Sequence, residues 1–139
     1  PNRTIVFAAI SGEELGLRGS RRVARFVRER FGANTYINMD MVGRLDERGL
    51  RSYVLETFPE SETVQRLAKT VKLDLMGLSV YDSDSDHISF LETGFSVVGF
   101  STGRHSGYHS VYDRIDGLNW KSMQRIQKFV KAVVVEFAK

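Results

Sequence analysis

Two adjacent carboxylates, Glu13 and Glu14, lie in the glycine-rich stretch Ser11-Gly12-Glu13-Glu14-Leu15-Gly16-Leu17-Arg18-Gly19-Ser20. Neighbouring acids repel, so keeping both ionised near neutral pH calls for a cation, and a metal is the obvious candidate. The alternative is a solvated acidic turn. Asp40 raises the same question, because it sits between Met39 and Met41 on a mostly apolar run. A desolvated carboxylate needs a cation or hydrogen-bond donors, whereas an exposed one is simply a strand terminator. Asp82-Ser83-Asp84-Ser85-Asp86-His87 suggests a calcium loop at first sight, but the glycine and the distal glutamate of such a loop are absent. Two further histidines, His105 and His109, share the loop Thr102-Gly103-Arg104-His105-Ser106-Gly107-Tyr108-His109.

The elements that must position these groups follow from periodicity. Residues 4–10 are apolar and β-branched, which predicts a buried strand ending at the two glutamates. A helix is expected from near Ser20, as its N-cap, to about Arg30, with Gly32 as its stop. Its inward face is expected to be Val23, Phe26 and Val27, and its wet face Arg21, Arg22, Arg25 and Arg28. Residues 34–43 read as a second buried strand with Asp40 near its carboxyl end. Residues 52–56 read as another, stopped by Pro59. Helical spacing of Val64, Leu67, Ala68 and Val71 predicts a packing helix from Glu60 to about Lys72, with Ser61 as a cap. A short helix is expected from Ser85 or Asp86 to Glu92, ended by Gly94. An interior strand over residues 95–101 and a long helix from about Asn119 to Ala138 complete the chain. Strands alternating with helices point to a three-layer α/β/α domain with a largely parallel or mixed sheet. Acids and histidines gather at the strand ends, where open α/β sheets place their chemistry.

The chain has 139 residues, enough for one domain with a real core. Its formal charge of +3 is modest, and the arginine cluster after Arg18 lacks aromatic interleaving, so no nucleic-acid partner is expected. With no cysteine, disulfides and thiolate zinc sites are excluded. No apolar stretch reaches membrane-spanning length, no membrane partner is expected, and no signal peptide is visible. The chain enters a strand directly from Pro1-Asn2-Arg3, which suggests a piece of a longer polypeptide.

Four segments, taken in order, resemble the co-catalytic dizinc aminopeptidases of the bacterial leucyl aminopeptidase type, metallopeptidase family twenty-eight. They are Glu13-Glu14-Leu15-Gly16-Leu17-Arg18-Gly19-Ser20, Asn38-Met39-Asp40-Met41-Val42-Gly43, Ser85-Asp86-His87-Ile88-Ser89-Phe90 and Tyr108-His109-Ser110-Val111-Tyr112-Asp113. The resemblance implies a metal-dependent exopeptidase that releases N-terminal residues from peptides. It makes Glu13 the general base that takes a proton from the attacking water, Glu14 and His109 ligands of one zinc, and Asp40 a ligand of the other. Carboxylate and imidazole suit zinc, and a base adjacent to a ligand is held close to the water it activates. Asp86 is expected to orient neighbours, His105 and Tyr108 to lie near substrate, and His87 to be a packed histidine. Tyr81 does not match by spacing the tyrosine that some relatives place there.

The family also uses a His-x-Asp motif and a bridging Asp from upstream of the Glu-Glu strand, and this chain has neither before Pro1. The expectation is therefore a single partial zinc-peptidase-like catalytic domain over residues 1–139, matching the C-terminal portion and not binding two zinc ions alone. Unpaired strands would leave an apolar face, making self-association or the missing N-terminal half its expected cover. A clean monomer at high concentration would remove the first of these. Alternative readings on the same scaffold are a glutaminyl cyclase or glutamate-carboxypeptidase relative, or a non-catalytic binding module. Compartment is open from the residues; the resemblance alone suggests secretion or the periplasm.

Overall fold

The computed structural model describes residues 2–45, 49–54, 61–79 and 84–139. The expectations resting on Glu56, Pro59, Glu60, Tyr81, Asp82 and Ser83 lie outside the described residues. Among those described, the order is α1 (Arg18–Phe31), β1 (Thr35–Met39), β2 (Leu50–Val54), α2 (Ser61–Thr70), β3 (Leu75–Leu78), α3 (His87–Glu92), β4 (Ser96–Ser101) and α4 (Trp120–Phe137).

The four strands form one mixed sheet in the order β1-β4-β2-β3. β1 runs parallel to β4, with Asn38 opposite Gly99 and Met39 opposite Phe100. β2 is antiparallel to β4 and parallel to β3. Alternation along β4 sends consecutive side chains to opposite faces. Val97 joins Ala24, Val27, Phe90 and Phe95 on the side of α1 and α3. Val98 and Phe100 join Val64, Ala68, Ile126, Phe129 and Val133 on the side of α2 and α4. The result is the expected three-layer α/β/α arrangement, with β4 buried on both faces.

Local signals account for most boundaries. Asn119 caps α4 by accepting from the Ser122 amide at 3.1 Å. Gly32 ends α1 in the left-handed region (φ 62°), its amide bonding Arg28 O at 3.0 Å while the Ala33 amide reaches Val27 O at 3.4 Å. The start of α1 differs from expectation. The helix cap lies three residues earlier, at Leu17, and Ser20 is not the cap but a fully buried residue. Its hydroxyl bonds Leu17 O at 3.1 Å and shares a 2.8 Å hydrogen bond with Ser89 Oγ, fastening α1 to α3. Phe26 also departs from the inward face: Ala24 takes the buried position, and Phe26 is 58% exposed beside Phe31. Two residues apart, Ala24 and Phe26 stand roughly 200° apart around the helix axis, so the face that buries Ala24 leaves Phe26 outside.

The strand expected over residues 4–10 does not form among the described residues. Asn2 and Arg3 bond to Ala138 O, and residues 3–8 face β1 across a cavity of about 600 Å³. Ile5, Val6 and Phe7 are exposed, Phe7 at 88%. Their apolarity specifies a covering layer, and the described residues supply none on that side. An apolar groove of about 670 Å³ lies there, between Ile5, Phe7 and Met39 on one side and α4 on the other. β3 escaped the periodicity reading because its four residues, Leu-Met-Gly-Leu, contain no β-branched side chain. Among the described residues no helix is long and apolar enough to cross a membrane.

Candidate active site

Three backbone exits converge above the carboxyl end of β1. The first is the turn before α1, closed by bonds from Leu17 N to Glu13 O (2.9 Å) and Arg18 N to Gly12 O (3.2 Å). It needs left-handed residues at Gly12 (φ 75°), Gly16 (φ 83°) and Leu17 (φ 60°). Gly19 is required for a different reason: a Cβ there would collide with the Ser11 carbonyl oxygen. The second exit is Asp40, whose amide still donates to Phe100 O at 3.1 Å before Met41 swings into the left-handed region (φ 53°). The third is the loop after β4. Thr102 fixes its start by donating both its amide and its hydroxyl to Met41 O. Successive turn bonds, including Tyr108 N to His105 O (3.0 Å) and Ser110 N to Gly107 O (3.2 Å), fold the remainder, with His109 itself at φ 53°. A non-glycine residue held there is the kind of strain found at functional sites.

These exits bring Glu13, Glu14, Asp40, His105, Tyr108 and His109 to the border of one cleft of about 620 Å³, and the start of α3 adds Asp86. Glu14 Oε1 and His109 Nε2 are 2.7 Å apart, and Tyr108 stacks on the His109 ring at 3.8 Å. Burial raises the Glu13 pKa above the usual carboxylate range. The negative charges of Glu14, Asp40 and Asp86 raise it further, and His109 opposes them. Asp86 opens α3 without capping it, and its Oδ1 is buried with no hydrogen-bond partner among the described residues. His105 turns into its own loop, where Nδ1 accepts from the Gly107 amide at 3.2 Å and Nε2 lies 3.6 Å from Asp113 Oδ1. His87 is buried, as expected of a packed histidine.

Several residues lining the cleft carry no role in the sequence reading. Tyr36 stacks on Phe90 at 3.5 Å and donates to Asn38 Oδ1 at 3.0 Å, while Asn38 donates to Ser85 Oγ at 3.2 Å. Burial, then the charges of Asp86 and Asp40, push the Tyr36 phenol well above its ordinary range. Arg44 bonds Asp113 Oδ1 at 2.8 Å. Asn38, Ser85 and Asp113 fall inside the recognisable motifs and Arg44 directly follows one, so position alone marked them.

The donor types, carboxylate and imidazole, suit zinc, and the accumulation of acids that lifts Glu13 is what a dication would relieve. The geometry is less complete. Glu14 and His109 meet each other directly, and among the described residues no three His, Asp or Glu side chains converge as a metal-holding group. The residues fit zinc in kind and place but do not form a closed coordination shell.

The pattern of peptidase family M28 matches residues 1–134. Aminopeptidase YwaD of Bacillus subtilis (strain 168) is 29% identical over 149 aligned positions, covering 99% of this chain and 33% of that protein. The zinc aminopeptidase BSAP of Bacillus subtilis superposes with a TM-score of 0.78 at 26% identity, covering 92% of this chain and 34% of that one. The LapA aminopeptidase of Legionella pneumophila gives 0.79 at 22% identity, over 93% of this chain and 38% of its own, a likeness of fold. The chain thus spans about a third of the length of the relatives it matches.

Proposed function

The chain belongs to peptidase family M28, and from that membership we propose that it serves a metal-dependent aminopeptidase, hydrolysing N-terminal residues from peptides. Residues 1–139 are, in this reading, part of one catalytic domain. The observation that carries the proposal is the meeting of Glu14 and His109 at 2.7 Å beside a Glu13 of raised pKa. The relative BSAP, named as a zinc aminopeptidase, supports zinc as the metal.

Glu14 and His109 would hold one zinc ion and Asp40 would contribute to a second. When bound, zinc supplies Lewis acidity, polarising the scissile carbonyl and making water acidic enough to attack near neutral pH. The remaining work belongs to side chains. Glu13, ionised, accepts the proton of the attacking water on its carboxylate and delivers it to the leaving amine. Asp86 adds negative charge beside Glu13 and Tyr36, keeping the base strong. The left-handed backbone at His109 and the stacked Tyr108 ring restrict the imidazole to few orientations.

The test is zinc-dependent release of the first residue from a free peptide and from its N-acetylated form, in a polypeptide carrying residues 1–139. Cleavage of the free peptide alone, reduced about 100-fold or more by Glu13→Gln, supports the reading. Equal cleavage of both peptides, or indifference to Glu13→Gln, rules it out. The exposed apolar face beside β1 supports association with a second copy, which a gel-filtration concentration series tests; a clean monomer at high concentration removes that part.

A further inference from the structure

Asp40 and His109 leave the sheet from different strands, β1 and β4, so something must set their separation. We propose that Arg44 and Asp113 form a positioning clasp that ties the exit of β1 to the loop carrying His109. The functional meaning of the clasp rests on the aminopeptidase reading above.

Arg44 is built into both segments. Its amide donates to Thr102 Oγ1 at 3.3 Å, at the root of the loop. Its Nη2 donates to Asp113 Oδ1 at 2.8 Å and to Arg114 O at 3.0 Å, at the far end of the same loop. The guanidinium lies where a Cβ on Gly117 would stand, so Gly117 leaves it room. One residue earlier, Gly43 O accepts from the Asn119 amide at 2.9 Å, and a Cβ on Gly43 would press Leu118 Cδ2 at 2.7 Å. The turn after β1 is therefore pinned to both ends of the segment 102–119. Asp113 is the hub on the loop side, with Arg44 on one flank and the His105 imidazole 3.6 Å away on the other.

The pair is only partly buried, with side chains 21% and 49% exposed. An ion pair in that setting contributes little to global stability, so its value is geometric. A planar guanidinium bonding two acceptors fixes direction as well as distance, which the point charge of a lysine does not. Supports one shell behind metal ligands act in this way, by restricting the ligand that they do not themselves replace.

The experiment compares the full chain with Arg44→Met, Asp113→Asn, the double variant and Arg44→Lys. Hydrogen exchange of amides 104–113 is read together with zinc affinity, followed on the His109 imidazole resonances; melting temperature controls for folding. We expect each single variant to speed loop exchange about tenfold and weaken zinc binding about 10- to 100-fold. The double variant should do no more than either alone, and Arg44→Lys should fall between. Loop exchange at wild-type rates in both single variants, or single effects that multiply in the double, would overturn the clasp. If Arg44→Met does not fold, Asp113→Asn and Arg44→Lys decide by the same criteria. A wild-type His109 that ignores zinc counts against the metal reading alone, while loop exchange still decides the clasp.

Discussion

Glu14 Oε1 and His109 Nε2 lie 2.7 Å apart, joining the turn before α1 to the loop after β4. Both side chains are more than half exposed, so water and salt screen their attraction. Glu14→Gln should therefore change the melting temperature of the apo chain by less than about 5 °C, as thermal unfolding would show. A larger loss would mean that the pair is a structural bond and not a latent ligand pair.

Glu13 predicts a pH dependence of stability. Its pKa in the fold is raised above the ordinary 4.5 by burial first, then by Glu14, Asp40 and Asp86. The folded state thus holds its proton to higher pH than the unfolded state does. This contribution to stability is fully present below the unfolded pKa and is lost as pH rises through the folded pKa. Glu13→Gln should accordingly raise the melting temperature at pH 7 and leave it nearly unchanged at pH 4. A variant equally stabilised at both pH values would contradict the assignment.

Tyr36 supplies a spectroscopic counterpart. Burial and the charges of Asp86 and Asp40 oppose its ionisation. Titration followed at 295 nm should therefore contain a step that appears only as the chain unfolds, and Tyr36→Phe should remove that late step. A late step absent from the wild type, or unchanged by Tyr36→Phe, would show that the Tyr36–Asn38–Ser85 network is open to water.

The seam between α1 and α3 should be sensitive to single atoms. Ser20 and Ser89 are both buried and share one hydrogen bond of 2.8 Å. Removing the Ser20 hydroxyl takes away the partner of the buried Ser89 hydroxyl, at a cost of about 1–3 kcal/mol, whereas Ser20 without Ser89 keeps its bond to Leu17 O. Ser20→Ala, measured by urea unfolding, should lose that amount, and Ser20→Ala with Ser89→Ala should lose less than the sum. Additive losses would show that the two hydroxyls do not depend on each other.

The motifs made much of the candidate site legible in advance because each joins a chemical residue type to a local backbone requirement. Glu13 and Glu14 stand among glycines that the turn needs, Asp40 at a strand end, and His109 in a loop after another strand. Gly32 and Asn119 marked helix ends because capping is local chemistry. What escaped depends on contacts between distant segments. Ser20 looked like a cap because nothing local reveals Ser89. Phe26 looked buried because helical spacing does not reveal which face α3 and the sheet cover. Residues 4–10 looked like a buried strand because apolarity reports a need for cover, not its presence. Arg44 and Asp113 are ordinary charges until the fold brings them to 2.8 Å.

Whether Glu14 and His109 hold zinc is decided by a calorimetric zinc titration of the 139-residue chain, with Glu14→Ala and His109→Ala alongside. Saturable uptake of fewer than two ions per chain is expected, weakened about tenfold or more in each variant. Uptake that is absent in the wild type, or identical in all three proteins, would contradict it.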